Sequence, residues 1–309
     1  MKQTHTYDVI IIGGGIAGMT AAIYLARANV KTVILEKTMC GGLCNYTYIV
    51  ENFPSYPSVN GMELMQKVRD HVDHLGVSVD EACDIELLDI TGREKSVETC
   101  EAVYRGSAVI VATGRKPILL DVPGGEAIHY CSVCDGFVYA GKRVLVVGGG
   151  NAGFDESLYL MRIGIGHIML VEVMDRFFAA QSAQDQLLKY PNVDARKCTR
   201  VAGVLQENNK VMGAVLENVA TGKREVIEVD GVFAFLGQNP TTEFLKGIVD
   251  LDDYGYVLAG EDMSTSVPGV FSAGDLNRKR FRQLTTAMSD GTIAALVCER
   301  YVRTNGACG

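Results

Sequence analysis

The feature that most restricts the fold is a glycine cluster used twice. GGGIAG at 13–18 follows the apolar run YDVIII at 7–12, and GGGNAG at 148–153 follows VLVV at 144–147. An apolar run of strand length that stops at glycines and passes into a helix is the opening of a βαβ unit, whose turn presents backbone N–H groups and a helix N-terminus to a phosphate. Gly13 and Gly148 permit the tight turn, Gly15 and Gly150 let backbone approach a pyrophosphate, and Gly18 and Gly153 let helix and strand pack closely. Helix is expected over 21–28 in the first unit. Second strands are expected at 32–35 and 168–171, each ending in an acid. Glu36 lies 18 residues beyond Gly18 and Glu172 lies 19 beyond Gly153, where a carboxylate can accept from a ribose diol. A further echo links VIVATGRKP at 109–117 with VFAFLGQNP at 232–240. The expected fold is therefore α/β, with two Rossmann-like (βαβ, GxGxxG) three-layer dinucleotide-binding domains.

The chain order suggests that one domain is inserted in the other. GVFSAGD at 269–275 reads as a short strand ending in an acid, and 283–302 as one long helix, too little for a third domain but enough to complete the first. The expected division is 1–116 with 243–309 as one domain and 117–242 as the other, joined by crossovers near 116–122 and 238–243. Over 61–75, Met62, Met65, Val68, Val72 and Leu75 have helical spacing and predict a buried face, with His71 and His74 on the solvated side. Alternating, turn-interrupted sequence over 201–232 predicts strands and hairpins.

Composition narrows the partners. The 309 residues carry a net charge of −8, which disfavours nucleic acid and anionic membrane surfaces. Apolar runs are of strand length, none is long enough to span a bilayer, and the start of the chain has no leader pattern, so a cytoplasmic location is expected. Nine cysteines, an odd and scattered set, do not make a secreted disulfide scaffold. Cys83, Cys100, Cys198, Cys298 and Cys308 lie in no local motif and read as free thiols.

Two of the nine stand apart. CSVCDG at 131–136 places Cys131 and Cys134 two residues apart, a spacing that can close a short disulfide and open to a dithiol, so that electrons enter and leave as a pair. Asp135 beside them suits thiol exchange, in which a leaving sulfur must be reprotonated. A structural zinc site would need two further Cys or His ligands at short spacing, and the sequence has neither a second CxxC nor a paired-histidine motif. Cys40 and Cys44, in MCGGLC, could form an accessory disulfide, but free thiols are expected.

Taken together, these motifs resemble the low-molecular-weight thioredoxin reductase family of FAD-dependent pyridine nucleotide-disulfide oxidoreductases. The resemblance runs through GGGIAG, VENFPS at 50–55, ATGRKP at 112–117, CSVCDG, GGGNAG, GVFSAGD and RQLTTA at 282–287. It implies a homodimer whose first domain holds FAD through Gly13, Gly15, Gly18, Glu36, Asn52, Ala112, Thr113, Gly114, Gly274, Asp275, Arg282, Gln283 and Leu284. It also implies that Cys134 faces the flavin, that Cys131 attacks the disulfide of a thioredoxin-like protein, that Asp135 is the acid, and that the domains rotate about the two crossovers between half-reactions.

One departure bears on the electron donor. NADPH-using members carry HRR after the second strand of the second domain, with a further Arg four residues on. Here Glu172, Val173, Met174 and Phe178 take those places. A 2′-phosphate would meet a carboxylate, so NADPH fits poorly, whereas a free 2′-hydroxyl makes Glu172 an acceptor and NADH fits. Gly148, Gly150, Gly153 and Glu172 form the expected nucleotide site. The alternatives are a ferredoxin-type donor docking on NRKRFR at 277–282, for which a solvated loop is the plainer reading, an NADH oxidase-type flavoprotein that merely keeps the CxxC, and a flavin-binding sensor without turnover.

Overall fold

The computed structural model describes residues 2–47, 50–208 and 210–306, with side chains described as far as residue 304. The chain divides into two units, Met1–Lys116 with Asn239–Gly309, and Pro117–Gln238.

The first unit is built on a five-stranded parallel sheet in the order Val270–Ser272, Ala108–Val111, Val9–Ile12, Thr32–Leu35, Ser78–Asp80. Val9–Ile12 is buried at every position because it lies between two layers, which is why it reads as an unbroken apolar run. Val9, Ile11, Ile34 and Ile110 face a core shared with the helices Ile16–Arg27, Gly61–His74 and Leu284–Gly306. Ile10, Ile12, Val33, Val109 and Val111 face the opposite core. That second core is closed by a four-stranded sheet, Gln3–Thr6, Ala102–Gly106, Lys95–Thr99 and Ile85–Asp89 in that order. Lys95 is sunk there at 1% exposure, donating to the carbonyls of Ile90, Gly92 and Pro268 at 2.8, 2.7 and 2.7 Å. A buried ammonium is tolerated because its three N–H groups are all taken.

The second unit repeats the plan. Its parallel sheet runs Ile128–His129, Gly231–Ala234, Arg143–Val147, His167–Val171, Val193–Arg196. The helices Asn151–Arg162 and Gln181–Leu187 share one core with Val144, Val146, Ile168 and Leu170. The antiparallel strands Thr199–Glu207, Lys210–Asn218 and Arg224–Ile227 cover the core on the other face, where hairpins were expected.

The ends of each unit close on themselves. Ile118 N–H donates to Gly237 O at 3.0 Å in the second unit, and in the first Thr241 N–H donates to Gly114 O at 3.0 Å while Thr113 Oγ1 donates to Thr241 O at 2.7 Å. These bonds hold residues 239–242 to the first unit, so its return segment begins four residues before the expected 243.

Local details differ from the sequence reading in instructive ways. The first helix starts at Ile16, directly after Gly15, so the third glycine of the turn is already helical. In the helix Gly61–His74, Met65 and Val72 are buried and both histidines are exposed, but Met62 is 50% exposed and Leu64 takes its inward place. Asn60 caps this helix, its side chain accepting from the N–H groups of Met62 and Glu63, which places Met62 in the exposed first turn.

Candidate active site

In the first unit the turn after Val9–Ile12 leaves a cradle. Gly13 sits at φ +107°, where an added Cβ would lie 2.5 Å from Ala112 O, so only glycine fits. Gly15 is the N-cap of the following helix without a capping side chain, and an added Cβ there would meet nothing within 4 Å. The helix N-terminus therefore opens onto free space, as a phosphate-binding turn requires. Glu36 reaches back to this turn: its Oε2 accepts from Gly14 N–H at 2.7 Å and its Oε1 from Thr38 N–H at 2.9 Å. The segment after Phe271 adds Gly274 at φ +97° and the carboxylate of Asp275, with Oδ2 at 3.2 Å from Arg115 and Oδ1 buried without a hydrogen bond though 3.4 Å from the Lys279 ammonium. Asn52 Nδ2 donates to Gln283 Oε1 at 3.1 Å, and Arg282 stacks its guanidinium 4.2 Å over the Tyr256 ring beside the start of the helix Leu284–Gly306. Ala112 continues the strand Ala108–Val111 by donating its N–H to Ile12 O of the central strand, and Gly114 stands at φ +61°. The structure thus brings the thirteen expected flavin-site residues to one unit.

The second unit repeats the turn. Gly148 is at φ +119° with an added Cβ 2.4 Å from Phe235 O, and Gly150 caps its helix with open space before it. Gly153 packs so tightly that an added Cβ would lie 1.8 Å from Gly148 O. Glu172 repeats the part of Glu36, with Oε2 accepting from Gly149 N–H at 2.6 Å and Oε1 from Met174 N–H at 2.9 Å. It is only 9% exposed.

The redox pair stands in this second unit. Cys131 and Cys134 are joined by a disulfide with their Cα atoms 5.4 Å apart, and the Cys134 N–H donates to Cys131 Sγ at 3.1 Å. Cys131 caps the short helix Ser132–Asp135 and Cys134 lies within it, and the helix leads into Gly136–Tyr139. Gly136 lies against the end of the helix Asn151–Arg162, where an added Cβ would come 2.8 Å from the Leu160 side chain and 3.0 Å from that of Ile163, so a larger residue would have to displace them. Asp135 Oδ2 lies 3.1 Å from His129 Nδ1. Between the two cysteines, Ser132 is fully buried. Burial pushes the Glu156 carboxyl up to about 7, the charge of Asp155 adds to the rise, and the Ser132 hydroxyl opposes it. A short disulfide with an acid and an imidazole beside it is equipped for thiol exchange.

Residues 7–291 match the family described as pyridine nucleotide-disulphide oxidoreductase. The chain is 39% identical to a 34.2 kDa protein in the rubredoxin operon of Clostridium pasteurianum, covering 98% of this chain and 99% of that one. It is 36% identical to thioredoxin reductase of Bacillus subtilis, over 98% and 96% of the two chains. A solved structure of Lactococcus lactis thioredoxin reductase in its FR conformation superposes with a TM-score of 0.91 at 33% identity, over 96% of this chain and 99% of that one. The chain belongs to the pyridine nucleotide-disulphide oxidoreductases. Within them it is a thioredoxin reductase-like flavoenzyme.

The residues present in this oxidoreductase fit a flavin dinucleotide. The open N-terminus at Gly15 suits the pyrophosphate, the carboxylate of Glu36 suits a diol, and Asp275 Oδ1 is a buried acceptor with no hydrogen bond. The nucleotide box departs from a phosphate-binding one in space as well as in sequence. Val173, Met174 and Phe178 are about half exposed at 49, 50 and 51%, Arg176 stacks 4.9 Å over the Phe178 ring, and no cation is paired with Glu172 among the described residues. The basic run at 277–282 does not form a continuous patch. Asn277 is buried, Lys279 is paired with Asp275 and Asp290, and Arg282 lies over Tyr256, which leaves Arg278, Arg280 and Phe281 at the surface.

Cys40 and Cys44 are free and buried. Burial, then the charge of Glu81, pushes the Cys40 thiol up to about 12, and burial alone takes Cys44 to about 11. Cys83 and Cys298 are free and buried, and their thiols are likewise raised by burial. Cys198 is half-buried and Cys100 exposed, both free, and Cys308 lies outside the described residues. Among the described residues no group of His, Cys, Asp and Glu could hold a metal ion, and no helix is long and apolar enough to cross a membrane. Sequence reasoning missed His129, Tyr139 and Glu156. The one available signal was their placement within a few residues of CxxC or of the second glycine turn.

Proposed function

We propose that this flavoenzyme reduces the disulfide of a thioredoxin-like protein, with Cys131 and Cys134 as the redox pair and Asp135 as the acid. The observation that carries the reading is the closed Cys131–Cys134 disulfide standing beside Asp135, in a chain matched along its length by thioredoxin reductases. The first unit would hold FAD through the Gly13–Gly18 turn, Glu36 and the Asp275 segment, and the flavin supplies a carrier that takes and releases electrons in pairs. Cys131 acts as the attacking thiolate, Cys134 closes the ring again, and Asp135 hands a proton to the departing sulfur.

NADH is the favoured donor over NADPH, since both oxygens of Glu172 are already committed to N–H groups and its charge has no counter-ion. A cytoplasmic homodimer completes the reading. The half-exposed apolar side chains in the nucleotide box favour one second reading, a ferredoxin-type donor that needs no nicotinamide. Anaerobic stopped-flow reduction of the flavin by NADH, NADPH and reduced ferredoxin, side by side, separates the donors. Cys134→Ser is expected to abolish thioredoxin reduction while the flavin stays reducible. Normal turnover by that variant overturns the assignment.

A further inference from the structure

The acid beside the redox pair is the first member of a chain of three. Asp135 Oδ2 lies 3.1 Å from His129 Nδ1, and His129 Nε2 lies 2.8 Å from Tyr139 Oη. His129 is fixed by its strand, where it pairs in register with Phe233, and by two rings, with Phe233 at 5.1 Å and Tyr139 at 5.4 Å between centroids. Tyr139 is fixed in turn at 5.6 Å from Phe233. Both imidazole nitrogens are therefore engaged and the ring has one orientation. With a carboxylate at Nδ1, that nitrogen carries the hydrogen and donates it, and Nε2 accepts from the phenol. The phenol is kept protonated, since burial and then the charges of Asp135 and Asp230 hold its pKa above the usual range. The charged groups around this chain are Asp135 on the redox helix, Asp230 before the strand that carries Phe233, and Lys142, whose ammonium lies 5.3 Å over the Tyr139 ring. The His129 and Asp135 side chains are 27 and 39% exposed, so water can deliver a proton to the imidazole.

We propose that His129 reloads Asp135 with a proton once in every catalytic cycle. The proposal rests on the disulfide-reductase reading above. The reduced pair holds one thiolate and one thiol. The thiolate attacks the partner disulfide, whose S–S bond breaks as a mixed disulfide forms, and the first partner sulfur leaves as a thiolate. The second thiol of the pair then loses its proton to Asp135 and its sulfur attacks the mixed disulfide, which restores the internal S–S bond and releases the second partner sulfur. Two electrons pass from the pair to the partner. Two protons are needed, of which the pair's own thiol supplies only one. The other comes from the His129 imidazolium through Asp135, and solvent reprotonates the imidazole. His129 acts through Asp135, as a positioning and proton-carrying residue.

The test uses the flavin-loaded full chain, reduced with dithionite and reoxidised between pH 5.5 and 9 by hydroxyethyl disulfide and, separately, by a thioredoxin disulfide. The wild-type rate is expected to fall toward alkaline pH, as a proton-carrying group is emptied. His129→Asn, which keeps a hydrogen-bond donor but cannot carry the proton, should lose that limb and run tenfold or more slower at pH 6.5, with partner KM within twofold. Tyr139→Phe removes only the outer hydrogen bond, which favours the neutral ring by donating to Nε2, and should move the limb to higher pH, which guards against a His129 variant that fails to fold. A limb unchanged in both variants overturns the proposal. Reoxidation by hydroxyethyl disulfide with the expected limb, but none by thioredoxin, keeps the relay and rejects the partner.

Discussion

Replacing Glu172 by Gln tests how the second nucleotide turn chooses its ligand. The wild-type carboxylate is 9% exposed and accepts from Gly149 N–H at 2.6 Å and Met174 N–H at 2.9 Å. A 2′-phosphate brought to about 4 Å from it would be repelled by roughly 4 kcal/mol at an effective dielectric near 20, or about a thousandfold in affinity. Glutamine removes that repulsion. It also keeps only one acceptor oxygen for two N–H groups, so one charge-assisted hydrogen bond worth about 1.5–3 kcal/mol is lost and the turn loosens. The two effects act on different quantities. NADH should bind about tenfold more weakly in Glu172→Gln, while the ratio of NADPH to NADH dissociation constants should fall by about a hundredfold or more. Anaerobic equilibrium titration of the flavin-loaded enzyme, first reduced with dithionite so that no electrons pass, with each nucleotide reads both numbers. A ratio that moves less than twofold, or a wild-type enzyme that already prefers NADPH, would refute the electrostatic argument.

Two further outcomes follow from groups held away from their ordinary pKa. Glu156 has a folded-state value of about 7, above that of an unfolded carboxyl, so the fold favours its protonated form and loses stability as pH rises from about 4.5 through 7. The full penalty is at most about 3 kcal/mol and is reduced by partial access to water. Glu156→Gln should therefore raise the urea midpoint at pH 8.5 and leave it unchanged at pH 4, followed by far-ultraviolet circular dichroism because the chain has no tryptophan. Equal shifts at both pH values would contradict the burial. Cys40, with a thiol pushed up to about 12, should be thiolate in only about one molecule in ten thousand at pH 8. Site-resolved mass spectrometry of the native oxidised enzyme should thus find Cys100 labelled by a maleimide long before Cys40, Cys44 or Cys298. Comparable labelling of all four would reject their placement.

What the sequence made legible, and what it hid, divides along the range of the contacts. The strands Val9–Ile12 and Arg143–Val147, the two glycine turns and the acids at 36 and 172 were readable because each signal lies within about thirty residues and each residue type answers a local backbone demand. The redox disulfide was readable for the same reason. The four-stranded sheet of the first unit was not, because its strands are only four or five residues long, two of them are largely exposed, and its burial is partly provided by Lys95, a residue that composition assigns to the surface. Glu156 reads as a solvated helix position until the fold buries its carboxyl. His129 was visible only as one of five histidines without ligand spacing. Its meaning comes from the strand pairing to Phe233 and from the turn that brings Asp135 and Tyr139 back beside it.

The hydrogen bonds at Ile118–Gly237 and Gly114–Thr241 carry a consequence for how such a chain can be rebuilt. Where an excursion leaves and returns within one hydrogen bond, its host can be sealed by a few glycines and the excursion can be lifted out whole. The cassette that would be removed contains both sulfurs, their acid and the second glycine turn, while the host retains the first turn and the Asp275 segment. Exchange of cassettes between relatives would then move the disulfide and the second glycine turn as one piece without redesigning the host sheet, a route open to both laboratory recombination and natural descent.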